Sequence, residues 1–285
     1  MNLALASCYP EQERKSMIYL VFCSLLKCSR VGLHEQFQAK VSHSDQLRIS
    51  EIVSGLRIYK PLQYLLGETE FYGMRMEVGP GVLIPRPETE ELVHWILTEN
   101  PGLIHPVILD IGTGSGCIAL ALARNLPLAT VSGIDNSPDA LVYANRNKLL
   151  NQCKVEFLLA DIFDDNNLQP FKADIIISNP PYIPESNMQA MQANVLQHEP
   201  HVALFVPDRD PLLYYRRIAL KSKEWLVPEG KLYVELHENY GEDILSLFQG
   251  NGFQAVELRK DINGKDRMVR AVWEGDHQSP GKNEP

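Results

Sequence analysis

The four residues from Asn179 to Tyr182, Asn-Pro-Pro-Tyr, follow an isoleucine-rich run and could act on a planar amino group. The two prolines remove two N–H donors, so the Asn179 side chain and the Pro180 carbonyl are available as paired acceptors. An amide or adenine –NH2 group is a poor nucleophile because its lone pair is delocalised. Two acceptors holding its hydrogens would turn that lone pair toward an electrophile, and Tyr182 would supply an aromatic face. We expect Asn179, Pro180 and Tyr182 to be catalytic; the alternative is a proline turn that only ends a strand.

A glycine-rich turn is the second segment that could do chemistry, with Gly112, Gly114 and Gly116 placed after Asp110. Glycines let the chain turn sharply and let a ligand approach the main chain. The dinucleotide fingerprint needs a third glycine where Cys117 stands, and no Gly-Lys-Ser/Thr follows to complete a P-loop. The turn therefore predicts a ligand other than a dinucleotide or a nucleoside triphosphate; the alternative is a tight turn that serves only packing.

Acidic residues end the next two predicted strands. Asp135 lies 23 residues after Gly112, where its carboxylate could accept hydrogen bonds from both hydroxyls of a ribose. Asp161 ends the following strand, where an adenine edge would lie. Because no phosphate-binding motif is present, these residues favour a nucleoside over a nucleotide. S-adenosylmethionine, an adenosine with a sulfonium and an amino acid but no phosphate, fits best.

The elements that position these residues alternate between strand and helix after Pro106. Strands are predicted at 107–111, 130–134, 154–160, 174–178, 231–237, 253–259 and 267–273, with helices at 117–125, 138–150, 212–225 and 240–250. This alternation predicts an α/β fold with a largely parallel, seven-stranded, Rossmann-like sheet covered by helices on both faces. The last two strands are expected to pair as a hairpin, so that the sheet ends in an antiparallel strand.

The segment before the predicted sheet has a mainly helical pattern of apolar residues. Apolar residues recur at helical spacing around Val21 and Leu25, and further short helices are predicted at 35–40 and 44–57. Glycines and prolines then punctuate a hairpin-like connector, before a helix predicted at 89–97. The expected domains are a helical substrate-docking domain at 1–66, the connector at 67–86, a catalytic domain at 87–274 and a disordered tail at 275–285.

Charge separates the same regions. The 285 residues carry a formal net charge of −9, which divides into +3 for the first 60 residues and −12 for the rest. The acidic balance argues against a protein that grips nucleic acid over a broad surface, because that affinity rests on many contacts of Lys and Arg with phosphates. The mildly basic helical unit is either a solvated face or a docking surface for an acidic partner.

Several residue patterns bear on compartment and metal content. The five cysteines are scattered, with no C-x-x-C pair, which favours reduced thiols in a cytoplasmic protein over disulfides or a zinc site. The longest apolar run, at 17–26, is too short to span a bilayer, so no membrane is expected. A proline lies between His198 and His201, which disfavours a metal site on a helix. Arg86 either lines the pocket or pairs with Glu88 or Glu90.

The sequence resembles the HemK/PrmC family, the protein-(glutamine-N5) methyltransferases that modify peptide chain release factors. The resemblance covers roughly residues 60–273. It is carried by Pro-Leu-Gln-Tyr-Leu-Leu-Gly at 61–67 with Phe-Tyr-Gly at 71–73, by Ile-Pro-Arg-Pro-Glu-Thr-Glu at 84–90, by 110–116, Asp135 and 179–182, and by Lys-Asp at 260–261 with Asp-Arg at 266–267. The Asn-Pro-Pro-Tyr turn also occurs in adenine-N6 methyltransferases. The first two stretches and the helical N-terminal unit make the match specific.

The resemblance implies S-adenosylmethionine-dependent N5-methylation of the glutamine in the Gly-Gly-Gln motif of release factors. It implies that the cofactor is contacted by Gly112, Thr113, Gly114, Ser115, Gly116, Asp135 and Asn179. It also implies that the substrate glutamine is held by Asn179, Pro180, Pro181 and Tyr182. Ile162 stands where relatives often have a larger aromatic beside the adenine, and an isoleucine would still pack there. The segment 203–213 departs from relatives, which usually carry glycines there.

Two other functions are open at this stage. An adenine-N6 methyltransferase acting on DNA or RNA would share the Asn-Pro-Pro-Tyr chemistry but needs a basic track and room for a flipped base; the −12 balance after residue 60 tells against it. A non-catalytic cofactor-binding module would dock on ribosomal factors through the N-terminal helices, and the intact motif disfavours that. The expected reaction is a direct in-line methyl transfer to a release factor, with no direct nucleic-acid substrate.

Overall fold

The computed structural model describes residues 1–35, 41–165 and 170–275. Within these ranges the strands are β1 Glu68–Phe71, β2 Met74–Glu77, β3 Val107–Ile111, β4 Thr130–Asp135, β5 Val155–Leu159, β6 Ala173–Ser178, β7 Ile183–Pro184, β8 Phe205–Val206, β9 Leu226–Glu235, β10 Gln254–Lys260 and β11 Asp266–Trp273. Seven of them form one sheet in the order β10-β11-β9-β6-β3-β4-β5. The predicted α/β class with a seven-stranded sheet is confirmed.

The helices of the same ranges are α1 Glu11–Leu26, α2 Arg30–Glu35, α3 His43–Arg57, α4 Leu62–Leu66, α5 Pro87–Glu99, α6 Cys117–Asn125, α7 Pro138–Leu150, α8 Ala193–Leu196, α9 Leu213–Trp225 and α10 Gly241–Gly250. Helices α5 and α6 pack on one face of the sheet, where Ile108 of β3 is buried. Helices α9 and α10 pack on the other, where the adjacent Leu109 is buried. Successive strand residues point to opposite faces, so both faces of β3 are covered.

The direction of the chain places a crevice at one edge of this sheet. From β3 the chain proceeds to β4 and β5 on one side, and then crosses to β6 on the other side of β3. Strands β3, β4, β5, β6 and β9 are parallel. Ligands of open α/β sheets bind outside the carboxyl ends of the strands where the order reverses, so the loops after β3, β4 and β6 form the site.

The position of the antiparallel strand differs from the expectation. The last two strands pair as a hairpin, as predicted. The antiparallel strand β11 does not form the edge, however, because it inserts between β9 and β10 and pairs with both. Its residues Val269 and Ala271 are fully buried.

Strand β9 begins five residues earlier than predicted. Leu226 pairs with Ala173 of β6, and the register shifts before Lys231 pairs with Ile175. The sequence Pro-Glu-Gly at 228–230 indicates a turn, but the chain accommodates it as an irregularity within the strand. The bounds of α6 and α7 match the prediction, and the Ser137 hydroxyl caps α7 by accepting a hydrogen bond from the Ala140 N–H, 3.2 Å between the heavy atoms.

The N-terminal helices share a separate apolar cluster that includes Leu5, Val21, Ile52 and Leu56. The hairpin of β1 and β2 follows directly. The helix predicted at 35–40 falls mainly on residues outside the described ranges, and so does the tail predicted from 275 apart from its first residue. The division of the chain into domains stays a prediction.

Candidate active site

A cleft of about 840 Å³, a volume that includes space open to solvent, lies at the carboxyl ends of β3, β4 and β6. Its floor comes from the three loops that follow these strands, at Gly112, at 135–137 and at 178–181. Its roof comes from 81–83 of the connector and from 200–203 after α8. Of the residues predicted to bind the cofactor or the substrate, Gly112, Gly114, Asp135, Ile162, Asn179, Pro180 and Pro181 line this cleft.

The glycine-rich turn is shaped by its backbone. Gly112, Gly114 and Gly116 have φ values of 71°, 56° and 81°, which favour glycine because a Cβ is strained there. A Cβ at Gly112 or Gly114 would meet no atom within 4 Å, whereas one at Gly116 would lie 2.8 Å from the Phe157 ring. The first two glycines therefore leave open space beside the cleft, and the third permits close packing of α6 on the sheet.

Asp135 connects the glycine turn to the end of β4. Its two carboxylate oxygens accept hydrogen bonds from the backbone N–H groups of Gly114, at 2.8 Å, and Ser137, at 2.9 Å. Burial raises the pKa of Asp135 above its ordinary value, although these N–H groups favour the charged form. Each carboxylate oxygen has a further lone pair, so the side chain can still accept from a diol in the cleft.

The other residues of the turn face inward. The Thr113 hydroxyl donates to the buried Asp110 carboxylate at 2.6 Å, and the Ser115 carbonyl accepts from the Asn147 amide at 3.0 Å. Burial raises the pKa of Asp110 to about 7, against the hydrogen bonds from Thr113 and the Ala119 N–H. Thr113, Ser115 and Gly116 do not line the cleft; they support the turn from behind.

The side of the cleft beyond Asp135 is apolar. Ile162 is 8% exposed and lines it beside Asp161. Tyr214 of α9 lines the same side, and its ring meets Phe163 edge-on at 5.4 Å between centroids. The Arg217 guanidinium of α9 donates to the Ile162 carbonyl, which holds this loop against the helix.

Asn179 lies at the opposite end and is held by side chains. Its Nδ2 donates to the Thr89 hydroxyl at 3.2 Å, and that hydroxyl donates to Glu235 Oε2 at 2.6 Å. The Tyr182 hydroxyl donates to Glu235 Oε1 at 3.1 Å. We call Asn179, Thr89, Glu235 and Tyr182 the Glu235 cluster. Burial raises the pKa of Glu235, which is 1% exposed, while Thr89, Tyr182 and Arg267 act to lower it.

The fold explains why these four residues meet. Ser178 of β6 pairs with Val234 of β9 in parallel register, so the next residues, Asn179 and Glu235, leave adjacent strands side by side. Thr89 lies in the first turn of α5, which begins at Pro87. Tyr182 does not line the cleft, and its ring meets His237 edge-on at 6.2 Å. The structure therefore places Tyr182 behind Asn179.

Glu199 fixes the roof of the cleft. Its buried carboxylate accepts from the Ile84 N–H at 3.1 Å and from the Arg86 guanidinium at 2.7 Å. Arg86 therefore neither lines the cleft nor pairs with Glu88 or Glu90, the two roles considered from the sequence. Because Glu199 belongs to the roof loop, this pair joins the two roof segments.

The histidines of that loop bind backbone atoms. His198 Nε2 lies 3.0 Å from the Ile58 carbonyl, and His201 Nε2 lies 2.7 Å from the Leu196 carbonyl. Across 1–35, 41–165 and 170–275, no three His, Cys, Asp or Glu side chains are grouped to hold a metal ion. No helix in those ranges is long and apolar enough to cross a membrane. None of the five cysteines, all of which lie in the described ranges, is joined in a disulfide.

Sequence reasoning missed Thr89, Glu235 and Glu199. The available signal for Glu235 was a lone carboxylate near the end of an apolar strand, Leu-Tyr-Val-Glu-Leu at 232–236. Buried carboxylates are rare unless they are hydrogen-bonded or paired. The side chains that are hydrogen-bonded to its carboxylate were not visible in the sequence, because the nearest of them along the chain is 53 residues away.

Comparisons with known proteins agree with this architecture. Residues 89–203 match the family model described as a methyltransferase small domain. The chain is 43% identical over 268 residues to the release factor glutamine methyltransferase of Bacteroides thetaiotaomicron. The aligned residues cover 94% of this chain and 96% of that protein. It is 42% identical over 270 residues to the protein of the same description from Flavobacterium psychrophilum, covering 94% of each.

Solved structures share the fold. The T. thermophilus 16S rRNA N2 G1207 methyltransferase, in complex with AdoMet and guanosine, has a TM-score of 0.53 at 19% identity, covering 72% of this chain and 49% of that one. At that identity the similarity bears on the arrangement of strands and helices alone.

Proposed function

Because the chain belongs to the family of release factor glutamine methyltransferases, we propose that it transfers a methyl group from S-adenosylmethionine to the side-chain nitrogen of the glutamine in the Gly-Gly-Gln motif of a peptide chain release factor. The observation that carries this proposal is the Asn179 side chain. Its Nδ2 is bonded to Thr89, and among the described residues no donor bonds its Oδ1. Asn179 and Pro180 both line the cleft.

The lining of the cleft fits S-adenosylmethionine, the methyl donor. Its ionisable side chains among the described residues include the carboxylates of Asp135 and Asp161 and no lysine or arginine. Carboxylates can accept from ribose hydroxyls and attract a sulfonium cation, whereas they would repel the phosphates of a nucleotide. The open space beside Gly112 and Gly114 leaves room for it. When bound, S-adenosylmethionine supplies an electrophilic methyl group attached to sulfur.

The chain's own groups would bind and orient the reactants. Asp135 would accept from the ribose hydroxyls, and Ile162 would pack against the adenine. Asn179 Oδ1 and the Pro180 carbonyl accept the two hydrogens of the glutamine amide, which directs its nitrogen lone pair at the methyl group. A carbon–nitrogen bond forms as the sulfur–carbon bond breaks, and the nitrogen then releases one proton to solvent. Catalysis comes mainly from positioning, which can supply about 7–11 kcal/mol.

The helices of residues 1–66 are proposed to dock the release factor. The His198 side chain is hydrogen-bonded to the Ile58 carbonyl at the end of α3, so these helices border the roof loop of the cleft. The net charge of +3 on the first 60 residues suits an acidic protein partner. In this proposal 67–86 is the connector, 87–274 the catalytic domain, and the cytoplasm the compartment.

One methylation assay tests the function. The protein is incubated with S-adenosylmethionine labelled in its methyl group and with a release factor, DNA or RNA. We expect label in the release factor and none in a release factor whose Gly-Gly-Gln glutamine is replaced by alanine. Label confined to nucleic acid would overturn the proposal in favour of adenine-N6 methylation.

A further inference from the structure

The buried carboxylate of Glu235 lies behind the proposed catalytic residue and does not reach the cleft. Both of its oxygens accept from hydroxyl groups, one from Thr89 and one from Tyr182. The 2.6 Å separation between the Thr89 and Glu235 oxygens is in the range of charge-assisted O–H···O⁻ bonds. The Thr89 hydroxyl hydrogen is therefore committed to Glu235.

That commitment determines which atom of the Asn179 amide faces the cleft. A hydroxyl has one hydrogen and two lone pairs, so Thr89 can only accept from Asn179. The Asn179 group beside Thr89 must then be the Nδ2 donor, as found at 3.2 Å. If the amide were reversed, its Oδ1 would face the Thr89 oxygen with no hydrogen between them. The acceptor Oδ1 is thereby directed away from Thr89.

We propose that Glu235, acting through Thr89, is a positioning residue that fixes the polarity of the Asn179 amide so that the cleft is offered an acceptor and not a donor. This inference rests on the proposed function, because an acceptor matters only if the substrate presents an –NH2 group. With the amide reversed, Asn179 would point N–H bonds at the hydrogens of the substrate nitrogen.

Tyr182 is a second residue through which Glu235 holds the turn. It lies three residues after Asn179 and donates to the second oxygen of the same carboxylate. The two prolines between Asn179 and Tyr182 limit the backbone freedom of the turn, so Glu235 holds the turn at both ends. Since Tyr182 is held behind the turn, its contribution is to position Asn179 together with Glu235.

Thr89 is the residue at which the inference can be tested most cleanly. Thr89→Val keeps the shape but removes the hydroxyl, whereas Thr89→Ser keeps the hydroxyl. We expect Thr89→Val to lower kcat by about 10- to 100-fold, as misplacement of a reacting group does, and Thr89→Ser to recover most of that loss. The affinity for S-adenosylmethionine should change less than about twofold in both. Thr98→Val is the matched control, since Thr98 is on the same helix and bonds only backbone carbonyls of α5.

Glu235→Gln tests the other end of the hydrogen-bonded series Asn179, Thr89 and Glu235. Glutamine keeps the size of the side chain but replaces one carboxylate oxygen by an –NH2 group, which can only donate, so Thr89 or Tyr182 must then accept from it. If Thr89 accepts, its hydrogen turns to Asn179 and favours the reversed amide. We expect a kcat loss of the same order as for Thr89→Val. In an Asn179→Ala background, neither substitution should lower kcat further.

The exchange of the Asn179 side-chain amide hydrogens provides a readout that does not depend on activity. Protein labelled with ¹⁵N-asparagine should show slow exchange of this group in the wild type and in Thr89→Ser, and faster exchange in Thr89→Val. Three results would each overturn the inference. They are equal hydrogen-exchange rates in all three proteins, equal kcat for Thr89→Val and Thr89→Ser, and kcat losses that add to the loss caused by Asn179→Ala. A wild type that methylates no release factor would refute the proposed function, while the exchange rates would still decide the role of Thr89.

Discussion

The two ends of the cleft are constructed from different parts of the chain. At the glycine-loop end, which comprises 110–116 and Asp135, backbone N–H groups bind a carboxylate only 21 residues from Gly114. At the Asn179 end, side chains bind one another across 90 residues between Asn179 and Thr89 and 146 residues between Thr89 and Glu235. The first end depends on local backbone shape, and the second depends on tertiary contacts of side chains.

This difference separates binding from catalysis. At the glycine-loop end, a ligand would contact mainly backbone atoms and the Asp135 carboxylate. Such a site depends on few side chains, which suits a ligand that many enzymes share. The orientation of an acceptor toward a substrate nitrogen depends on a single side-chain amide, which needs its own supports. Substitutions at the two ends should therefore affect different kinetic constants.

The largest effect is expected from Asn179→Ala. The variant loses the acceptor that orients the substrate amide, and loss of one hydrogen-bonding group that acts in a transition state costs about 10²- to 10³-fold in kcat. Affinity for S-adenosylmethionine should fall much less, because the glycine loop and Asp135 remain. Single-turnover kinetics and calorimetric titration with the cofactor measure the two quantities. Equal losses in turnover and affinity would remove the distinction between the two ends.

Asp135→Ala should show the opposite pattern. Removal of the carboxylate takes away the acceptor for the ribose hydroxyls and leaves the N–H groups of Gly114 and Ser137 without their partner. Hydrogen bonds to charged groups contribute about 1.5–3 kcal/mol each, so cofactor affinity should weaken by about 100-fold. With saturating cofactor, kcat should recover to within about tenfold. Asp135→Asn, which keeps one acceptor, should lie between. A kcat deficit that persists at saturation would assign Asp135 to catalysis.

The sequence indicated much of the glycine-loop end because its signals are local. Alternating apolar runs indicated the strands, and Ser137 before Pro138 marked the start of α7, where the structure has it. Gly112 and Gly114 were expected to line a ligand site after the first strand of the sheet, and they lie in the cleft. Thr113 and Ser115 were expected there too, but a turn exposes alternate sides of the chain, and these two face inward.

The Asn179 end could be predicted only in part. The motif identified the residue and its acceptor role, while its supports lie on α5 and β9 and are joined by hydrogen bonds with no sequence periodicity. Arg86 shows the same limit, because its partner Glu199 is 113 residues away. The position of β11 between β9 and β10 is likewise determined by tertiary packing, because either strand of a hairpin can pair with the edge of a sheet.

A smaller effect is expected from Gly114→Ala at the glycine-loop end. The Cβ would meet no atom within 4 Å, so the cost arises from the φ of 56° alone. Left-handed backbone costs about 1–2 kcal/mol for a residue with a side chain, and the free energy of unfolding should fall by that amount. Gly102→Ala is the control, because its Cβ also meets nothing and its φ is not positive. Equal stability of the two variants in urea unfolding would show that the loop does not need this backbone shape.

The smallest expected effect is a pH dependence of stability that comes from Asp110, the buried carboxylate at the glycine-loop end; its counterpart at the Asn179 end is Glu235. Burial raises the pKa of both Glu235 and Asp110. Arg267 opposes the rise at Glu235 while Glu88 adds to it, whereas at Asp110 burial raises the pKa to about 7 and Asp135 adds to the rise. An acid whose pKa is higher in the folded state than its ordinary 3.8 binds more protons when folded between these values. Stability from this group is therefore present at low pH and is lost as pH rises through 7.

Asp110→Asn removes this titration while its amide oxygen can still accept from Thr113. Between pH 8 and pH 6 the wild type should gain about 1 kcal/mol in its free energy of unfolding from Asp110, and the variant should lack that gain. Urea unfolding of both proteins at the two pH values measures the difference, and other titrating groups cancel in the comparison. The opposite sign would mean that the charged form of Asp110 is favoured by the fold.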